Sequence, residues 1–126
     1  MEALLEIMRR LRGPGGCPWD QEQTHDSLRR HLLEEAAEAV DAIASGDPRV
    51  MADELGDVLL QVLFHAEIAA RRGAFDFQAV AESFVDKLRS RSPYLFDGST
   101  GVVPAQEQER LWAKGKARER QIPPGR

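Results

Sequence analysis

Cysteine is nearly absent from this chain. Cys17 is the only one in 126 residues, so no intrachain disulfide can form, which fits a reducing compartment. Aromatic residues are also scarce, at 6% against 42% hydrophobic residues in all. Strand-rich chains carry more aromatic and β-branched side chains, so this composition suits a helical core of Leu, Val and Ala. Long apolar runs are missing. No stretch approaches the roughly 20 residues of a membrane-spanning helix, and Glu2 and Glu6 stand where a signal peptide would be apolar. Positive charge is not in excess, since the formal net charge is −4, which argues against a specific nucleic-acid partner. Five bases (Lys114, Lys116, Arg118, Arg120, Arg126) do gather near the C-terminus against one acid, Glu119. Internal repeats and low-complexity segments are lacking as well. The expectation is one soluble, cytoplasmic domain with no membrane contact.

The apolar residues that are present recur at helical spacing. Leu4, Leu5, Met8 and Leu11 line one side of a predicted helix over 2–12. The run Gly13-Pro14-Gly15-Gly16-Cys17-Pro18 must be a loop, and it leads into Trp19-Asp20. A tryptophan beside such a loop either packs on the core or stacks on a ligand; packing is the commoner outcome. A second helix is predicted over 24–45, with Leu28, Leu32, Ala36, Ala39 and Ile43 as its stripe, widened by Leu33 and Val40. Gly46 suits a C-terminal stop, and Asp47-Pro48 an N-cap followed by proline at the first helical position. The third helix then runs to about Arg72, with Met51, Leu55, Val58, Leu59, Val62 and Ala66 apolar. The two-residue connection forces an antiparallel hairpin. A fourth helix follows over 77–91, with Val80, Phe84 and Leu88 facing inward, and Pro104 opens a fifth that ends near Arg120. The expected architecture is all-α: an antiparallel helix hairpin with flanking short helices, one domain over 1–120 and a flexible tail over 121–126. Leu59, Leu63 and Phe64 are left as apolar surface for a second copy.

Against this helical background two clusters of acid stand out: Glu34, Glu35 and Glu38, then Glu54 and Asp57. Residues three and four apart share a helix face, and the hairpin lets the two acidic faces oppose each other. Carboxylates gathered in this way repel unless a cation screens them, and a hard divalent ion, Mg²⁺ or alternatively Mn²⁺, favours an all-oxygen set. The competing reading is a solvated acidic face, with Arg30 pairing Glu34 and Arg49 pairing Asp53 at about 0–1 kcal/mol each. Spacing alone leaves both open. A ferritin-like di-iron site wants Glu-x-x-His, yet Glu38 and Asp57 occupy those +3 positions. His25, His31 and His65 read as surface or capping residues.

Glu34-Glu35-x-x-Glu38 followed by Glu54-x-x-Asp57 resembles the signature of the MazG family of nucleoside triphosphate pyrophosphohydrolases. Gly16-Cys17-Pro18-Trp19-Asp20 with Gln23-Thr24-His25 resembles that family's N-terminal segment. Lys87-Leu88, Arg91 and Pro93-Tyr94-Leu95-Phe96 resemble its basic segment, and Trp112 with Lys116 its C-terminal Trp-x-x-x-Lys. Tyr94 stands where the family has histidine, and Glu109 where some members have asparagine. The resemblance implies Mg²⁺-dependent hydrolysis of an NTP or dNTP to the monophosphate and pyrophosphate, in nucleotide-pool house-cleaning. It implies a homo-oligomer, a dimer or a tetramer, with a four-helix core shared between subunits. Glu35, Glu38, Glu54 and Asp57 become metal ligands, and Glu34 and Glu35 catalytic carboxylates. Lys87, Arg91 and Lys116 contact the triphosphate, the first two as catalytic cations. Trp19, Asp20 and Trp112 join the substrate pocket, which reverses the packing expectation for Trp19. The rivals are a helical module that senses nucleotides without turnover and an interaction protein acting through its basic tail.

Overall fold

The computed structural model describes residues 2–98 and 101–121. It is all-α: α1 (Glu2–Arg12), α2 (Pro18–Glu22), α3 (Arg29–Ser45), α4 (Pro48–Arg71), α5 (Phe77–Arg91), a 3-10 turn (Pro93–Leu95) and α6 (Ala105–Glu119), with no strand among the described residues. The tail over 122–126 lies outside the described residues. None of the described helices is long and apolar enough to cross a membrane. The chain divides into two compact units, Met1–Phe77 and Gln78–Arg126.

In the first unit, α1 buries Met8 at helical spacing from Leu4, Leu5 and Leu11. The loop after it is shorter than the glycines and prolines imply. Pro18 begins α2, because a proline at the first helical position lacks only an N–H that would have no partner there. Gly16 lets the chain fold back on α1; a Cβ there would stand 2.3 Å from the Arg10 carbonyl oxygen. Arg12, buried, donates to the carbonyls of Asp20 at 2.6 Å and Gln23 at 3.3 Å. Those two bonds pin α2 and the segment after it.

The expected helix over 24–45 starts five residues late. The amides of Thr24 and Ser27 each donate to the other's hydroxyl, at 2.9 and 3.0 Å. Side chains that bond local backbone this readily compete with helix and make a turn. Leu28 closes that turn and is fully buried. α3 then ends at Gly46, whose φ of 73° is left-handed and costs glycine little. Asp47 caps α4 by accepting from the Arg49 amide at 2.9 Å, with Pro48 next. The antiparallel hairpin of α3 and α4 results. Its far end packs on α1 through Leu63, Phe64 and Ile68, joined by Leu60 and Phe77.

Leu63 and Phe64 are therefore core, at 2% and 6% exposure, and are not the partner surface expected of them. The expected inward stripe of α3 is only half buried. Ala39 and Ala42 meet α4, whereas Leu33, Val40 and Ile43 are exposed, because one partner helix covers one face only. In the second unit Val80 and Leu88 are partly buried, but Phe84 is exposed, contrary to its expected inward placement.

Candidate metal and phosphate site

α3 and α4 bring the acids together. Glu35 and Glu38 on one helix and Glu54 and Asp57 on the other each offer one carboxylate oxygen, all four within 4.8 Å of one another. Glu35, Glu54 and Asp57 are half-buried and Glu38 is exposed. Glu35 Oε2 and Glu54 Oε2 are buried without a hydrogen-bond partner. Burial pushes the Glu35 carboxyl above its ordinary range, and Glu38, Asp57 and Glu34 add to the rise. Glu54 is raised in the same way, by burial first and then by Glu38, Asp57 and Asp53. Carboxylates so crowded and so poorly supplied with donors are unfavourable when all are ionised, and a bound cation removes that penalty. Glu34 stands apart from the four-oxygen group. It is exposed, and its Oε2 lies 3.8 Å from His31 Nδ1, so its neighbour is this histidine and not the expected Arg30.

Trp19 satisfies parts of both sequence readings. Its ring meets His31 and Phe64 edge-on, at centroid distances of 5.9 and 6.3 Å, while 48% of the residue stays exposed. Asp20 behind it is buried. His25 and His65, expected as isolated surface or capping residues, form a pair. Their Nδ1 atoms are 2.7 Å apart and their rings stack at 5.0 Å. Burial, then His25, lowers the His65 pKa.

The cations gather in the second unit. Lys87 and Arg91 on α5, with Lys116 and Arg118 on α6, line a cavity of about 690 Å³. Arg91 is not loose there: Glu119 holds it at 2.8 Å, and its guanidinium lies 4.8 Å from the Trp112 ring centre. Trp112, Tyr94, Gln108, Glu109 and Lys116 border a second cavity of about 480 Å³. Sequence reasoning missed Arg12, the histidine pair and Glu119. Each acts on a residue beyond the reach of one helical turn, so no local periodicity announces it.

Residues 23–96 match the MazG nucleotide pyrophosphohydrolase domain. The nucleoside triphosphate pyrophosphohydrolase/pyrophosphatase MazG of Thermotoga maritima is 45% identical over 122 residues, which are 96% of this chain and 48% of that protein. The nucleoside triphosphate pyrophosphohydrolase of Escherichia coli K12 is 42% identical over 121 residues, 95% of this chain and 46% of its own length. That of Mycolicibacterium smegmatis is 47% identical over 118 residues, 92% and 35% of the two chains. The chain thus spans about half or less of the length of these relatives. The crystal structure of a mazG-related protein from Thermotoga maritima superposes with a TM-score of 0.73 at 30% identity, covering 93% of this chain and 99% of that one.

Proposed function

The chain belongs to the MazG nucleotide pyrophosphohydrolase family, and on that premise we propose that it hydrolyses nucleoside triphosphates, ribo or deoxyribo, to the monophosphate and pyrophosphate. The observation that carries this reading is the four-carboxylate cluster with two buried, unpartnered oxygens. Such a donor set fits a hard divalent cation, Mg²⁺ or Mn²⁺, held by Glu35, Glu38, Glu54 and Asp57. When bound, the ion supplies charge neutralisation for the phosphates and a lowered pKa for a coordinated water.

The chain's own residues do the rest in this reading. Glu34, exposed beside Glu35 in sequence, orients the attacking water and takes its proton. Glu35, catalytic as well as metal-binding in this reading, fixes the ion beside that water. Lys87, Arg91 and Lys116 stabilise the charge that develops on the pyrophosphate leaving group. Trp19 and Trp112 offer flat apolar faces to base and sugar, and Asp20 braces the segment that carries Trp19. The role is house-cleaning of the cytoplasmic nucleotide pool. A second copy, covering Leu33, Val40 and Ile43 of α3, completes a four-helix core.

The test is product analysis with an NTP and Mg²⁺. Direct release of pyrophosphate is expected. Release of orthophosphate and a diphosphate would mean ordinary phosphatase chemistry. Nucleotide binding with no product at all would favour a sensing module.

A further inference from the structure

Arg91 is held more firmly than a phosphate-binding cation needs to be for its charge alone. It sits in the last turn of α5. Its Nε donates to Glu119 Oε2 at 2.8 Å, and its Nη2 lies at the same distance from that oxygen. The guanidinium also stacks over Trp112. Trp112, Gly115 and Glu119 follow one another at helical spacing, so α6 presents them as a single face. Gly115 makes the approach feasible. A Cβ there would stand 2.8 Å from Arg91 Cγ and 2.9 Å from both Arg91 Cα and the Ser90 carbonyl oxygen.

The pair is not needed to dock the helices. Arg118 already donates to the Ser90 carbonyl at 2.8 Å, and the Gly115 contact brings the backbones together. Nor does it strengthen anion attraction, because a carboxylate beside a cation weakens the pull on phosphate. What the pair supplies is orientation. A guanidinium is a rigid planar fork that is always charged, and its value to a phosphate depends on which edge it presents. Glu119 takes the Nε edge and Trp112 takes a face. The contacts with Glu119 run through Nε and Nη2, and Arg91 lines the cavity with Lys87 and Lys116, beside Glu82 and Asp86.

We propose that Glu119 is a positioning residue: together with Trp112 it fixes the Arg91 guanidinium so that the edge turned away from Glu119 meets the phosphate chain of the substrate. This rests on the nucleotide reading above. Orientation and charge predict opposite signs. If Glu119 positions Arg91, Glu119→Ala lowers kcat/KM for an NTP about tenfold, the scale of one charge-assisted hydrogen bond, with kcat carrying part of the loss because Arg91 serves the leaving group. Glu119→Gln, which keeps an acceptor oxygen, recovers most of that loss. In an Arg91→Ala background Glu119→Ala has no further effect, since the two act as one unit. A raised kcat/KM in Glu119→Ala would overturn the proposal, and so would a lower melting temperature with kcat/KM unmoved. Calorimetric titration of the wild type, the two single alanine variants and the double variant with pyrophosphate needs no turnover. If the wild type releases no pyrophosphate from NTPs, the nucleotide reading fails. The positioning role then stands only if Glu119→Ala weakens pyrophosphate binding when Arg91 is present and not when it is absent. A wild type that neither releases nor binds pyrophosphate overturns both.

Discussion

At the scale of single residues, the decisive fact is that four carboxylates crowd one patch with few donors to satisfy them. Glu38→Gln keeps the shape and removes one ligand charge. We expect it to abolish pyrophosphate release while leaving the helical circular-dichroism spectrum intact; near-wild-type turnover would rule out the site assignment. Glu54 allows a test of the electrostatics. Its pKa is raised in the folded, metal-free chain, so the protonated form is favoured on folding. The resulting penalty is absent below the ordinary carboxyl value of 4.5 and grows as pH rises through the raised one. Metal-free Glu54→Gln should therefore melt above the wild type at pH 7, and the gap should close as the pH falls toward 4.5. Saturating Mg²⁺ should reverse the order, because only the wild type then gains binding free energy. Differential scanning fluorimetry across pH, with and without a chelator, reads both effects. The acids themselves were legible in the sequence, since charge inside an apolar helical pattern is conspicuous. Glu119 was not, since its partner Arg91 lies on another helix and the Gly115 approach that joins them is a tertiary event.

Among the elements, the α3–α4 hairpin sets the register on which the acidic patch depends. Its turn is built from Gly46 in the left-handed region and Asp47 as N-cap. Asp47→Ala removes the acceptor for the Arg49 amide and should cost about 1 kcal/mol, a few degrees in the melting temperature. Deeper in, Leu63 anchors α4 on α1 at 2% exposure. Leu63→Ala should cost about 2–5 kcal/mol by leaving a cavity, which chemical denaturation measures. Gly46, Asp47 and Pro48 foretold the turn of the hairpin. The start of α3 was not foretold, because Thr24 and Ser27 fall inside the helix predicted over 24–45. Their hydroxyls instead satisfied each other's amides and turned the chain. Two conformations competed for the same backbone groups there, and local spacing does not rank them.

The whole molecule leaves apolar side chains in water that a stable protein ordinarily covers. Leu33, Val40 and Ile43 on α3 are 73%, 64% and 54% exposed. A hairpin buries one stripe of each helix, so the opposite stripe requires another layer. We expect a dimer by multi-angle light scattering, and Ile43→Asp should shift it toward monomer. A wild type that stays monomeric at every concentration would reject the shared core. The surplus of apolar residues is readable in the sequence. Which of them stay exposed is not: Leu33, Val40 and Ile43 do, whereas α1 packs over Leu63 and Phe64.

Local chemistry within one or two helical turns was determined by the sequence alone: the all-α class, the hairpin, the acidic clusters and the cationic segment all follow from spacing, capping and charge. Only the tertiary structure decided which side chains of separate helices meet, because such contacts depend on how helices roll and approach. That is how four acids came to share one 4.8 Å patch, why Arg12 pins a distant loop, and why Arg91 answers to Glu119.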